Sequence, residues 1–219
     1  MKEKVAVATV NGKAYFLVVN ELKEQNIPFL SLIPGESVPA DIKVVVTTEK
    51  ERPLLKGEKI LVFKDEADLE GFDVEIKRIL MGKVAYEKII IGLDPGEATG
   101  LVAVADGKVI EEGNCYSSKE VIHSISKIIR PVNFQLTNVT VKIGNGVPIY
   151  KELLEELDAE LPPQVALEVV DEAGTNRPFK VNKRSRKIRH ISSAIRIAGR
   201  AGYIAPRRKK TTATNNPTQ

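Results

Sequence analysis

The residue of this chain best placed to do chemistry is Asp94, at the end of an apolar run and immediately before Pro95-Gly96. The run reads as a strand buried on both faces, and residues 101–105 read as its partner returning alongside, with Gly96 and Gly100 expected to permit the reversal. A carboxylate at the open mouth of a buried sheet can hold Mg²⁺ or Mn²⁺ against a phosphodiester, or meet a nucleotide phosphate through that metal. It can also do no more than cap its own turn, as Asp often does.

The elements that would position Asp94 follow from punctuation and period. A third strand at 108–116 follows the Asp106-Gly107 turn, and Ser117 with Glu120 forms a capping box for a helix that Pro131 stops. A strand at 137–142 leads through Gly144-Asn145-Gly146 to a helix begun by Pro148, with Leu153, Leu154, Leu157 and Leu161 on one face and Pro162-Pro163 at its end. A strand at 165–170 ends in Asp171-Glu172, and a last helix runs from about 182 to 202. Three hairpin-linked strands followed by strand, helix, strand and helix make an α/β domain, placed at residues 87–205.

Three short pieces then fall in a meaningful order. Asp94-Pro95-Gly96 with Thr99-Gly100, Val141-Lys142-Ile143-Gly144-Asn145-Gly146, and Val170-Asp171-Glu172 with Thr175 together resemble the RNase H-like fold of the RuvC resolvase and YqgF (RuvX) nuclease families, over residues 88–203. The resemblance implies that acids on the first strand, a later strand and the final helix hold divalent ions. Carried over, it points to Asp94 and Glu172 as metal-binding and catalytic residues, with Asp171 as a neighbouring ligand and Mg²⁺ or Mn²⁺ as the metal. In the family's strand order the first and fifth strands flank the fourth, so their backbones lie about 9 to 10 Å apart. Two carboxylates that far apart make a thin cage.

The chain departs from the family at the final helix. Arg189-His190-Ile191-Ser192-Ser193-Ala194-Ile195 aligns with the family's Asp-x-x-Ala-Ala pattern and puts His190 where the acid belongs; no acidic residue follows Glu172. Imidazole is a poor Mg²⁺ ligand and an acceptable Mn²⁺ one, and His190 could also act as a general acid or base or bind phosphate as an imidazolium. The plainer reading is a polar residue at the edge of a core-facing stripe.

Charge supplies an independent argument. Residues 1–176 carry 20 Lys and Arg against all 29 Asp and Glu, a net of −9, while residues 177–219 carry 13 basic residues and no acid. Arg177, Lys180, Lys183, Arg184, Arg186, Lys187, Arg189, Arg196, Arg200 and the run from Arg207 to Lys210 read as a cationic arm and helix suited to a phosphodiester backbone. At 100° per residue Ile188, Ile191, Ile195 and Ala198 share one face, expected to dock, and Arg189, Arg196 and Arg200 another, expected to reach outward. The same charge would also suit a merely solvated helix or a contact with the acidic part of the chain.

Residues 1–86 read as a separate small Rossmann-like α/β unit. Strands are expected at 5–10, 29–33, 42–47 and 60–63, with helices at 13–25 and 73–81. Thr9-Val10-Asn11-Gly12-Lys13 has neither a dinucleotide fingerprint nor a P-loop, so no cofactor is assigned to it and an interaction role is the default. With 42% hydrophobic residues the chain is globular, and no apolar run is long enough to span a membrane. The lone Cys115 fits a reducing cytoplasm and strand packing, and residues 206–219 form a basic and polar tail expected to be disordered. The functions left are a metal-dependent nuclease on DNA or RNA, a nucleic-acid-binding protein of the same fold without catalysis, and an ATP-binding, kinase-like phosphate site. A kinase of that type needs two such domains and a longer chain. The sequence is as compatible with a monomer as with a homodimer.

Overall fold

The computed structural model describes residues 4–57, 59–172 and 186–207, the side chains of 186–190 excepted. The chain divides into two compact units, Met1–Glu87 with Ile125–Thr137, and Lys88–Ser124 with Asn138–Gln219. Both are α/β; one is built on a parallel sheet and the other on a mixed sheet. No helix among the described residues is long and apolar enough to cross a membrane.

The first unit runs β1 (Val5–Ala8), α1 (Gly12–Glu24), β2 (Phe29–Leu32), β3 (Val44–Thr48), β4 (Ile60–Phe63) and α2 (Phe72–Leu80), with 3₁₀ turns at Arg52–Leu54 and Glu66–Leu69. Its strands stand in the order β2-β1-β3-β4, all parallel. Parallel strands covered on both faces read as unbroken apolar runs, and here they do. Val5, Val7, Val44 and Val46 pack with Val18, Leu22, Phe72 and Ile76 on one face, while Ala6, Ala8 and Val45 pack with Leu55 on the other. Asn11 starts α1 by accepting the Ala14 N–H at 3.1 Å.

The second unit holds β5 (Lys88–Asp94), β6 (Thr99–Ala105), β7 (Lys108–Cys115), β8 (Asn138–Gly144), α4 (Tyr150–Glu160), β9 (Ala166–Val170), α5 (Arg186–Gly199) and β10 (Tyr203–Ile204). Between β7 and β8 comes α3 (Ser118–Ile129), whose last residues are counted with the first unit. The sheet order is β10-β9-β8-β5-β6-β7. β5, β8 and β9 run parallel, whereas β6 pairs antiparallel with β5 and with β7, and β10 antiparallel with β9.

Of the two hairpins, one follows what glycine placement predicts and the other does not. The β6 to β7 reversal uses left-handed Asp106 (φ 46°) and Gly107 (φ 81°), the requirement of a type I′ turn. Gly96 and Gly100, expected to permit the reversal after Asp94, are not among the residues with positive φ. The wider Pro95-to-Ala98 connection, which contains Gly96, turns without a left-handed residue. At α3, Ser117 Oγ accepts the Glu120 N–H at 3.2 Å, and the Glu120 carboxylate takes the Tyr116 N–H at 2.9 Å.

Candidate functional site

Strand register decides which side chains meet. Gly92 lies beneath α5 so closely that a Cβ there would fall 2.2 Å from the Ala194 carbonyl oxygen and 2.9 Å from the Ala198 nitrogen. An isolated glycine inside an apolar strand signals such an approach. Asp94 stands two residues further along β5, so it takes the same face of the sheet at the strand's carboxyl end. The last paired residues of β5 and β8 are Leu93 and Ile143, which puts Asp94 level with Gly144, and Gly144 pairs with Val170 of β9. Asp94 and Glu172 therefore come to one edge of the sheet with a single strand between them.

Gly144 narrows that gap. A Cβ built on it would lie 2.0 Å from Oε1 of Glu172 and 2.7 Å from Cδ1 of Ile197 in α5. The Glu172 carboxylate thus reaches back over the end of β8, on the α5 face, which leaves one strand spacing of about 4.8 Å to β5. The turn after β8 fixes it there. The N–H of Gly146 donates to Glu172 Oε1 at 3.2 Å, the N–H of Glu172 donates to Asn145 Oδ1 at 3.1 Å, and the N–H of Asn145 donates to the Val170 carbonyl at 3.1 Å. Asp94 and Glu172 are both half-buried and Asp171 is exposed.

Behind the carboxylates, Lys142 is buried in β8 level with Gly92. Its Nζ donates to the carbonyl of Arg200 just past α5 and lies 3.1 Å from Glu168 Oε2. A lysine on the last carbonyls of a helix is favourable for the helix dipole, and this one ties the end of α5 to the sheet.

The docked face of α5 keeps Ala198 of the expected stripe but not Ile195. Ala194, Ile197 and Ala198 are buried, whereas Ile195, placed in the docking stripe by sequence, is 43% exposed. Gly92 brings the helix so near that only alanine fits where it crosses β5, and the isoleucine that docks is the one over Gly144. Position 190 precedes Ala194 by one turn; its side chain, with those of Arg186, Lys187 and Arg189, lies outside the described residues. So do Arg177, Lys180, Lys183, Arg184 and the residues after Arg207. Arg196 is exposed, and Arg200 Nη1 donates to the Asp171 carbonyl at 3.4 Å.

Arg207, counted by charge with the cationic arm, is used inside the unit. Its Nε lies 2.6 Å from Asp158 Oδ1, and its guanidinium also donates to the carbonyls of Val165 (2.6 Å) and Leu161 (2.8 Å). Sequence reasoning missed the roles of Gly92, Asn145 and Lys142. Gly92 carried a signal in its interruption of an apolar strand; Lys142 carried none that charge counting could separate from surface lysines.

Among the described residues no group of three or more His, Cys, Asp or Glu side chains is disposed to hold a metal ion. The candidate donors reduce to Asp94 and Glu172, a set that fits Mg²⁺ or Mn²⁺ of the weakly held kind, which takes one or two carboxylates and completes its shell with water and substrate phosphate.

Residues 4–75 match a family described as a response regulator receiver-like domain. No curated protein matches the chain. Among solved structures, two of Argonaute from Marinitoga piezophila, one with a 5′ OH guide RNA and one with that guide and target DNA, align with 77% of this chain and 39% of their own, at 14% and 13% identity and TM-scores of 0.27 and 0.29. The chain thus spans well under half the length of those proteins, and alignments this loose define no shared fold.

Proposed function

We propose that the second unit is an RNase H-like module of the RuvC and YqgF type that binds nucleic acid and acts on its phosphodiesters with a divalent metal. The observation that carries this reading is the convergence of Asp94 and Glu172 across Gly144 on the face covered by α5. The strand order supports it, since the two carboxylates flank one central strand. A bound Mg²⁺ or Mn²⁺ would be held by Asp94 and Glu172, with Asp171 beside them, and would supply Lewis-acid stabilisation of charge on a phosphate. The chain's own part is to hold Glu172 in place through Gly144, Asn145 and Gly146, while β5 carries Asp94 to the same edge. Phosphates are gathered by the cations of residues 177–200, including Lys183, Arg184, Arg186, Arg189, Arg196 and Arg200.

A second reading, binding without catalysis, is favoured by the absence of any acid after Glu172. One set of assays separates the two. Purified protein is offered branched DNA, linear DNA and structured RNA with Mg²⁺ or Mn²⁺, and binding is followed by fluorescence anisotropy. Under the nuclease reading Asp94→Asn abolishes cleavage and leaves binding intact or tighter, because a carboxylate that repels phosphate is gone. His190→Asp raises Mg²⁺-dependent cleavage if an acid completes the shell, and lowers it with a change of metal preference if His190 itself serves as base or Mn²⁺ ligand. Binding without cleavage of any substrate selects the second reading; no binding at all rejects both.

A further inference from the structure

A cavity of about 550 Å³ opens at the carboxyl ends of β1, β3 and β4 in the first unit, bounded by the start of α1 and the loop after β4. That edge of an open parallel sheet is where connections to opposite sides diverge and leave a crevice for ligands. Here β1 leads through α1 to β2 on one side, while β3 leads to β4 on the other. The volume is that of a small-molecule site.

The walls divide by chemistry. Ala14, Leu17 and Phe63 supply an apolar surface, with Ala14 and Phe63 buried. Lys13, Lys50 and Lys64 stand around the mouth with Asn11 and Thr48. Of the acids nearby, Glu66 is paired, its Oε1 2.8 Å from Lys13 Nζ, and Asp65 is turned to its own chain, its Oδ1 accepting the Ala67 N–H at 2.9 Å; Asp65 and Glu49 keep their charge. Lys50 and Lys64 are exposed, and among the described residues neither side chain has an ion pair or a hydrogen bond. Nor does the first turn of α1 carry an acid that would oppose an anion.

Two unpartnered ammonium groups beside an apolar wall fit an anion attached to a flat or apolar body. We propose that this cavity binds a mononucleotide, with the phosphate at Lys50 and Lys64 and the base against Leu17 and Phe63. The site is separate from the carboxylates of the second unit and does not depend on their role.

The test is titration calorimetry of the full chain with AMP, GMP, CMP, UMP and inorganic phosphate as separate probes. At least one mononucleotide binds, and the double variant Lys50→Ala/Lys64→Ala, whose changes are exposed, weakens it by about tenfold or more through loss of charge-assisted hydrogen bonds. Lys50→Arg/Lys64→Arg keeps most of the affinity. Leu17→Ala weakens the nucleotide and leaves the response to inorganic phosphate unchanged, which a purely electrostatic site would not do. The proposal is overturned if no mononucleotide binds at millimolar concentration or if inorganic phosphate binds as tightly as the nucleotides. Unchanged binding in the double alanine variant also overturns it, since that nucleotide would be held by the basic helix instead.

Discussion

Glu51 stands three residues beyond β3 in the first unit, and Glu172 two residues beyond β9 in the second, so each carboxylate follows the carboxyl end of a parallel strand. Their surroundings differ. Glu51 is 8% exposed; its Oε2 accepts the hydroxyls of Thr9 and Thr48, each at 2.5 Å, and its Oε1 accepts the N–H of Val10 at 2.7 Å. Burial pushes this carboxyl up, but hydrogen bonds from Thr48, Thr9 and the backbone N–H groups of Val10 and Thr48 outweigh it and hold the group below its ordinary value. Glu172 is half-buried, draped over a glycine, and accepts the Gly146 N–H at 3.2 Å. A carboxylate ringed by donors of its own fold is a tether between loops. One steered over a gap toward a second carboxylate is placed for something outside the fold.

The change expected to break the second arrangement most completely is Gly92→Ala. The new Cβ would fall 2.2 Å and 2.9 Å from backbone atoms of Ala194 and Ala198, and backbone cannot swing aside as a side chain can. Overpacking costs about 1 to 3 kcal/mol and more where the main chain must move, so the second unit should lose at least about 3 kcal/mol in urea unfolding. A loss under about 1 kcal/mol would show that α5 is not held against β5 in solution.

Gly144→Ala tests the site rather than the fold. Its Cβ would meet the movable ends of Glu172 and Ile197, which can shift, so stability should fall by only about 1 kcal/mol. The displaced carboxylate should nevertheless cost metal-dependent activity about as much as Asp94→Asn does. If cleavage is present and Gly144→Ala leaves it unchanged, Glu172 does not act from where it lies.

How far these two edges could be read from sequence depends on how local their causes are. Apolar runs, Gly-Asn-Gly, the prolines around α4 and the capped start of α3 act over a few residues, and most strands and helices fall within a few residues of expectation. The short β10 was not foreseen, because its two residues, Tyr203 and Ile204, are an edge pairing with β9 rather than an apolar period. The face of α5 was misjudged for a related reason. Helical period favours the larger isoleucines, but Gly92 on a distant strand selects alanines. Asp94 was legible as a strand-end acid, and its sharing of one sheet edge with Glu172 followed from the strand order the resemblance implied. That the Glu172 carboxylate lies back over the end of β8 was not legible, because it depends on Gly144, which sequence spacing alone showed only as part of a turn.

Glu51 allows the tether to be loosened by pH. Its folded carboxyl value lies below the ordinary value of about 4.5, so the stabilisation it gives is present above that value and is lost as pH falls through the lower, folded one. Glu51→Gln should therefore remove part of the first unit's acid sensitivity and cost about 1 to 2 kcal/mol at neutral pH, from hydrogen bonds that a neutral amide makes less well. Parallel stability curves for the variant and wild type between pH 3 and pH 7, on the order of the usual acid range, would mean that the ring of donors does not discriminate charge.

The smallest expected change is in nucleic-acid binding at the end of the chain, where two truncations that differ by Pro206 and Arg207 should behave differently. Removing residues 208–219 takes away Arg208, Lys209 and Lys210 and none of the described contacts. Nucleic-acid binding should weaken only modestly, and the slope of log affinity against log salt should fall by less than about 3 even if each cation neutralises a phosphate. Arg189, Arg196 and Arg200 changed together to Ala should weaken binding more, since the first two belong to α5 and Arg200, just past it, reaches the Asp171 carbonyl beside Glu172. Removing residues 206–219 also deletes Arg207, leaving Asp158 and the carbonyls of Leu161 and Val165 without their guanidinium. Breaking a half-buried ion pair by losing one partner is destabilising by about 3 kcal/mol. The longer truncation should thus lower the melting temperature and the shorter one should not, and equal melting of the two would show that Arg207 contributes charge to the arm rather than structure to the unit.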